Sequence, residues 1–375
     1  MPSISSPISS PLVRRWLVPV LAAVAVMAGG VAVRAVSAIA RPELAPKSAE
    51  QLLAALQTAR PEGLSGTISV RSELGLPELP ALGGEGALDL NTLLSGSHTL
   101  KVWYSSPDSM RVALIGRLSE SSIITNGHDV WTWSSADNAA THSVRPAGDR
   151  EHKRPFDPGT AAPMTPEQAA ARALAALGPS TSVTTSATDR VAGRPVYELV
   201  LAPRDTDSLF GQVRIAIDSE KYVPLRVQVI ARGAGSPAFE VGFTSVEFAR
   251  PEASWFTFTP PPGAKVTEKP AGAAVAPALP FAAPFMASGA DAKTIGSGWT
   301  AVMVARVPVG ANHTGRDDLG RLLRRLPRVD NGRVLSGSLF TALLTDDGRL
   351  LFGAVSASRL QAVAKDPAAQ LKPAS

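Results

Sequence analysis

Apolar and polar positions alternate with a period of two between Trp103 and Trp133. Met110, Val112 and Leu114 alternate with Arg111 and Ala113, and Trp131 and Trp133 flank Thr132. This period predicts strands with one apolar face. Asn126-Gly127, between two such runs, predicts a tight hairpin turn. An upstream run, GTISVRS, reads as a strand, and four more follow: RPVYELVLAP, GQVRIAID, YVPLRVQVIA and FEVGFTSVEFA. Gly211 to Asp218 and Val223 to Ala231 join through Ser219-Glu220-Lys221 as in a meander, and Pro224 implies an edge position or a bulge.

Two segments change to a helical period. Ser48 caps SAEQLLAALQTAR, in which Leu52, Leu53 and Leu56 share one face before Pro61 and Gly63 end the helix. Thr165-Pro166-Glu167-Gln168 opens a second helix with a capping box, and Gly178-Pro179 stops it. A run of strands broken by two helices predicts an α+β fold, a curved antiparallel sheet wrapped around helices with an apolar cavity. The leucine-rich stretch from Leu74 to Ser97 is either a flap over that interior or a packed loop. Residues 269–290, rich in Pro, Ala and Gly, form a linker. Beyond it, residues 291–365 predict a small α/β module: strand GWTAVMVARV, helix DDLGRLLRRL, and a hairpin turning at Asp346-Asp347-Gly348.

Composition narrows the setting. With 32 prolines and 31 glycines in 375 residues, the chain suits a turn-rich β protein. Its net charge of +5 is spread along the chain, whereas nucleic-acid binding calls for a clustered basic stripe. The densest cluster, Arg321 to Arg328, reads as a solvated helix face near anionic headgroups. The absence of cysteine removes disulfides, thiolate nucleophiles and thiolate metal sites. Arg14 and Arg15 precede an uncharged run from Trp16 to Val33, and Arg34 closes it. That pattern predicts an exported chain, with residues 1–40 either a signal peptide cut near Ala38-Ile39-Ala40 or an anchor through residues 16–33 in the cytoplasmic membrane. On either alternative the remainder works outside the cytoplasm.

The search for chemistry yields little. The histidines at 98, 128, 142, 152 and 313 lack the helical spacing of a zinc protease. The chain contains no G-x-S-x-G elbow, no Walker loop and no dinucleotide fingerprint, and no cofactor is implied. The expectation is a binding protein rather than an enzyme. Its candidate site is the apolar wall of Trp103, Met110, Val112, Leu114, Trp131, Trp133, Leu199 and Leu201. The sequence leaves open whether that wall lines a void or is packed core.

Residues 48–268 resemble the lipoprotein carriers of LolA type. The resemblance rests on Val102-Trp103-Tyr104 with Pro107 and Met110-Arg111-Val112, on the hairpin from Ile123 to Trp131, on Tyr197 to Pro203, and on Phe256-Thr257-Phe258-Thr259-Pro260-Pro261 with Gly263. It implies an incomplete β-barrel that shields acyl chains of a lipid or lipoprotein in a cavity lidded by helices. Sensors of the MucB/RseB type share that fold, so the alternative implied is an envelope-stress regulator that binds a membrane anti-sigma partner. Ser106 stands where the carriers have a basic residue, a departure that bears on cargo handover.

Overall fold

The computed structural model describes residues 44–76, 96–106, 108–145, 180–270, 292–306 and 326–371. Twelve of its strands form one sheet: β1 (Leu64–Ser72), β2 (Gly96–Ser106), β3 (Ser109–Ile115), β4 (Glu120–Asn126), β5 (Asp129–Ser134), β6 (Ala139–Val144), β7 (Thr181–Val191), β8 (Arg194–Pro203), β9 (Phe210–Asp218), β10 (Pro224–Ala231), β11 (Pro237–Glu247) and β12 (Lys265–Pro270). The order across it is β12-β6-β5-β4-β3-β2-β1-β11-β10-β9-β8-β7. Two meanders, β2–β6 and β7–β11, are thus stitched together by β1, which pairs antiparallel with both β2 and β11. One pairing breaks the antiparallel pattern, that of β12 lying parallel to β6.

The sheet is curved and its ends stay unpaired with each other. Val191 at the end of β7 packs with Val196, Ala216 and Leu225, and Phe243 and Val246 of β11 lean on that cluster, although β8, β9 and β10 intervene in the hydrogen-bonding order. Strand twist of constant hand produces such coiling in a long sheet. A register shift between Pro224 and Arg226 marks a bulge at the start of β10. Of the two explanations for Pro224 the bulge holds, because β10 is an interior strand.

The β9–β10 turn is organised by one buried carboxylate. Asp218 accepts from the Arg194 guanidinium and from the N–H groups of Glu220 and Lys221. Burial by itself would push this carboxyl up, but the Arg194 and backbone donors outweigh it and hold it below the ordinary carboxylate range. The stabilisation is therefore complete above about pH 4 and is lost as pH falls through the depressed value. The denaturant midpoint should drop over that acid range, and Asp218→Asn should flatten this part of the profile; an unchanged acid profile in the variant counts against the assignment.

Helix α1 (Ala49–Thr58) begins with the predicted cap. Gln51 N–H donates to Ser48 Oγ, and Ser48 N–H donates to Gln51 Oε1. Leu52 is fully buried with Tyr197, Leu199 and Ile217, which seats the helix on the second meander. The segment before it is moored by the Tyr197 hydroxyl, which donates to the Ala45 carbonyl at 3.0 Å, and by the Thr185 hydroxyl, which donates to the Lys47 carbonyl at 3.0 Å.

A second sheet contains β13 (Ala292–Ile295), β14 (Val302–Arg306), β15 (Arg328–Val329), β16 (Gly332–Ser336), β17 (Thr341–Thr345) and β18 (Arg349–Gly353), in the order β13-β14-β18-β17-β16-β15. Helix α2 (Ala357–Lys365) covers it with Leu360, Val363 and Ala364, which pack on Val304, Leu343 and Leu351. This sheet abuts the second meander. Leu339 is buried among Leu74, Val229, Ala231 and Ala238, Leu209 N–H donates to the Ala354 carbonyl at 2.8 Å, and Trp299 Nε1 donates to Thr181 Oγ1 at 2.7 Å. Leu74 and Leu76, which open the stretch read as flap or loop, belong to this joint.

Several expectations need correction. Strands β6, β7, β12, β13, β15 and β16 and helix α2 lie outside the predicted elements: β7 is mostly Thr, Ser and charged positions, and β12 has an exposed surface. The run GWTAVMVARV begins as a 3-10 turn at Gly298–Thr300, and its strand starts at Val302, because Gly296 and Gly298 take left-handed backbone angles there. The apolar run 16–33, the helix opening at Thr165, most of the helix 317–326 and nearly all of the linker 269–290 lie outside the described residues. Among the described residues no helix is long and apolar enough to cross a membrane.

Candidate functional site

The strand register divides the eight candidate residues between two faces of the large sheet. Residues paired across neighbouring strands share a face. Trp103 pairs with Arg111, Arg111 with Ile124, Ile124 with Trp131, and Trp131 with His142, and Trp133 lies on that face beside Ala140 and Ser122. Tyr104 pairs with Met110, Val102 with Val112, and Leu100 with Leu114 on the opposite face, where Val112 also pairs with Ile123. The three tryptophans and the Met110-Val112-Leu114 row therefore do not form one wall. The alternation inside each strand is as expected. Its phase between β2 and β3 is set by their turn, where the register shifts between Tyr104 and Ser106.

Leu199 and Leu201 fall on the Met110 side. Leu114 connects through Leu100 to Ile68 and, two residues along β1, Val70 connects through Val241, Val227 and Ile215 to Leu199. This is the face on which α1 rests. Leu199 is buried beneath Leu52, so its contacts are with the helix. Met110, Val112 and Leu114 are half-buried, as are Val102 and Ile123 beside them. A groove of about 270 Å³ opens on the same face, at the C-terminal end of α1, between Leu56, Ala59, Pro61, Leu64, Tyr104 and Tyr222. Tyr222 at its rim has φ 54°, a left-handed conformation that a bulky residue adopts at a cost. Lys47 places its ammonium 5.7 Å from the Tyr222 ring and 5.9 Å from the Tyr197 ring.

The tryptophan face is covered by the chain itself. After β11 the backbone makes a 3-10 turn at Ala253–Phe256 and crosses this face towards the far edge of the sheet. Trp255 stacks on Trp103 with centroids 4.5 Å apart and planes 16° apart, and the Arg111 guanidinium sits 5.6 Å from the Trp103 ring centroid. Phe258 packs 5.3 Å from Trp131 and 5.7 Å from Trp133. The crossing lands where Asn138 Nδ2 donates to the Gly263 carbonyl at 3.0 Å and Lys265 N–H donates to the Asn138 carbonyl at 2.9 Å. Residues 253–263 thus lie as a strap across the three half-buried tryptophans.

His142 completes this face. Its ring stacks on Trp131 at 4.3 Å, with Nε2 2.8 Å from Asp129 Oδ1 and Nδ1 2.8 Å from Glu268 Oε2. Burial would lower its pKa, but the hydrogen bonds and charges of Asp129 and Glu268 outweigh this and raise it above the ordinary histidine value. The two carboxylates lie on opposite sides of the ring, so they do not converge on one ion. Among the described residues no group of three or more His, Asp or Glu is arranged to hold a metal. Trp255, Phe258 and His142 were absent from the candidate set. The paired phenylalanines of FTFTPPPG gave a signal for the strap, whereas a histidine in a polar strand gave none.

No family model matches the chain, and no curated protein matches it. Among solved structures it is similar to MucB, at 16% identity and a TM-score of 0.41 over 84% of this chain and 97% of that one. It is also similar to a chain of the Pseudomonas aeruginosa MucA/MucB complex, at 15% identity and a TM-score of 0.43 over 84% and 94%. A LolA superfamily protein from Nitrosomonas europaea is 10% identical, with a TM-score of 0.22 over 57% of this chain and 99% of that one.

Proposed function

We propose that this chain is an extracytoplasmic, non-enzymatic binding protein that shelters an acyl chain of a lipid or lipoprotein on the helix-bearing face of its large sheet. One observation carries the proposal. The strap covers the tryptophan face, whereas the row Val102, Met110, Val112, Leu114 and Ile123 on the opposite face is apolar and half-buried. Apolar surface of that kind favours hydrocarbon at about 0.8 kcal/mol per buried methylene, so one long chain supplies on the order of 10 kcal/mol before ordering costs. The uncharged run behind Arg14 and Arg15 supports work outside the cytoplasm.

The arrangement also selects the reporter. The native tryptophans on the strap side are poor probes of the opposite face, so Val112→Trp is the informative variant. Its fluorescence is expected to shift to the blue on addition of a long-chain phospholipid, relative to the unsubstituted chain, and native mass spectrometry of the purified protein should show a bound lipid that organic extraction removes. No added mass together with no shift sinks the proposal. Recovery of a membrane protein partner whose binding ignores lipid would favour the sensor alternative instead.

A further inference from the structure

Both nitrogens of the His142 ring face a carboxylate at 2.8 Å, one from each neighbouring strand. A neutral imidazole has one N–H and one lone pair, so only the imidazolium can donate to Asp129 and Glu268 together. With the proton gone, one contact becomes a lone pair set against a carboxylate. Glu268 belongs to β12, a strand whose own hold on the molecule is slight. Among the described residues it is an edge strand paired on one side only, and Lys265, Val266, Thr267, Glu268 and Lys269 are all exposed.

We propose that His142 is a proton-operated clasp, closing β12 and the strap that feeds it onto β6 when charged and releasing that edge when neutral. Among the described residues the charged groups around it are few. Asp129 faces it from β5 and Glu268 from β12, where Lys265 and Lys269 flank the contact along the strand. Arg145, at the end of β6, is engaged by the Gly127 carbonyl at 2.7 Å and by Asp108 at 3.5 Å, and His128 lies in the β4–β5 turn. Trp131, beneath the ring, contributes no charge. Because the pKa is raised in the closed form, the clasp is fully effective below about pH 6.5, the ordinary histidine value, and weakens as pH climbs through the raised value. Release would leave the Ala139–Val144 backbone unpaired along one side, a template that an added strand can occupy. This device does not depend on acyl-chain binding.

Amide exchange of Val266 to Lys269, expressed as protection so that the intrinsic pH dependence cancels, tests it in the full chain between about pH 5 and pH 9. The His142 ring is titrated by NMR in parallel. Protection of β12 should fall between the acid and alkaline limits by the ratio of the His142 ionisation constants in the released and closed forms, while amides of β8 and β9 hold steady. His142→Gln should abolish the step and leave β12 weakly protected at every pH. Glu268→Gln, a milder change available if the first variant misfolds, should shrink the step. A pH-independent β12 in the native chain, or an undiminished step in the variants, overturns the proposal.

Discussion

Trp131→Ala is expected to lower the unfolding free energy by about 3 kcal/mol while leaving acyl-chain binding intact. The indole is the bed for both the His142 ring and Phe258, and it pairs across the sheet with fully buried Ile124. Truncation removes the platform from two partners at once and opens a gap over Ile124. Fully buried aromatics cost about 3–5 kcal/mol on truncation, and the half-buried position of Trp131 places it at the lower end. Urea unfolding gives the stability, and lipid titration of the same sample gives the affinity. A variant with native stability but lost lipid binding would return the tryptophans to the ligand wall and reject the division of faces described above.

Arg349→Met should cost about 3–5 kcal/mol, a still larger fraction of a typical domain's stability. The guanidinium is buried at the start of β18 and ties three places together. It donates to the Ala364 carbonyl at 3.1 Å, to the Ala369 carbonyl at 3.1 Å and to Asp347 at 2.8 Å. The carboxylate partner is itself held low: burial pushes Asp347 up, and the Thr345 hydroxyl and Arg349 outweigh it. Methionine fills much of the volume but leaves the carbonyls near the end of α2 without their donor, and stranded buried groups are what make such losses expensive. Arg349→Lys should recover only part, since an ammonium cannot fork to two carbonyls and a carboxylate in one plane. Loss of α2 helicity ahead of the main transition is the expected signature, and a variant as stable as the parent would refute this role.

The strands that were legible in the sequence are those whose own side chains carry the period. In β3, β8, β9 and β10 the alternation of Met110-Val112-Leu114, Tyr197-Leu199-Leu201 or Val213-Ile215-Ile217 is visible without neighbours, because one face of each is apolar in its own side chains. Helix α1 was equally plain, with Ser48 as its cap and leucines at helical spacing. Strands β7 and β12 escaped because they close the two edges of the sheet, where polar residues suit both faces and carry no period. The candidate residues divide on phase. Within β3 the apolar residues occupy even positions and within β5 the tryptophans occupy odd ones, but which set faces which depends on the turns between them, a property of register that no single strand encodes. The strap is half-visible: Phe256 and Phe258 stand out in the sequence, yet where they pack depends on the path taken after β11.

The central place of β1 bears on how the protein can be made. As the strand following α1 it emerges early, yet it becomes complete only when Ser65 to Ser72 find their partners in Phe239 to Glu247, after almost the whole large sheet has been synthesised. Until then one side of β1 is an open edge beside a finished meander. Contacts so distant in sequence slow folding, and an unpaired edge in the interval invites association with other chains. A mutation that delays β11 should raise the yield of aggregate well before it lowers the stability of the finished fold.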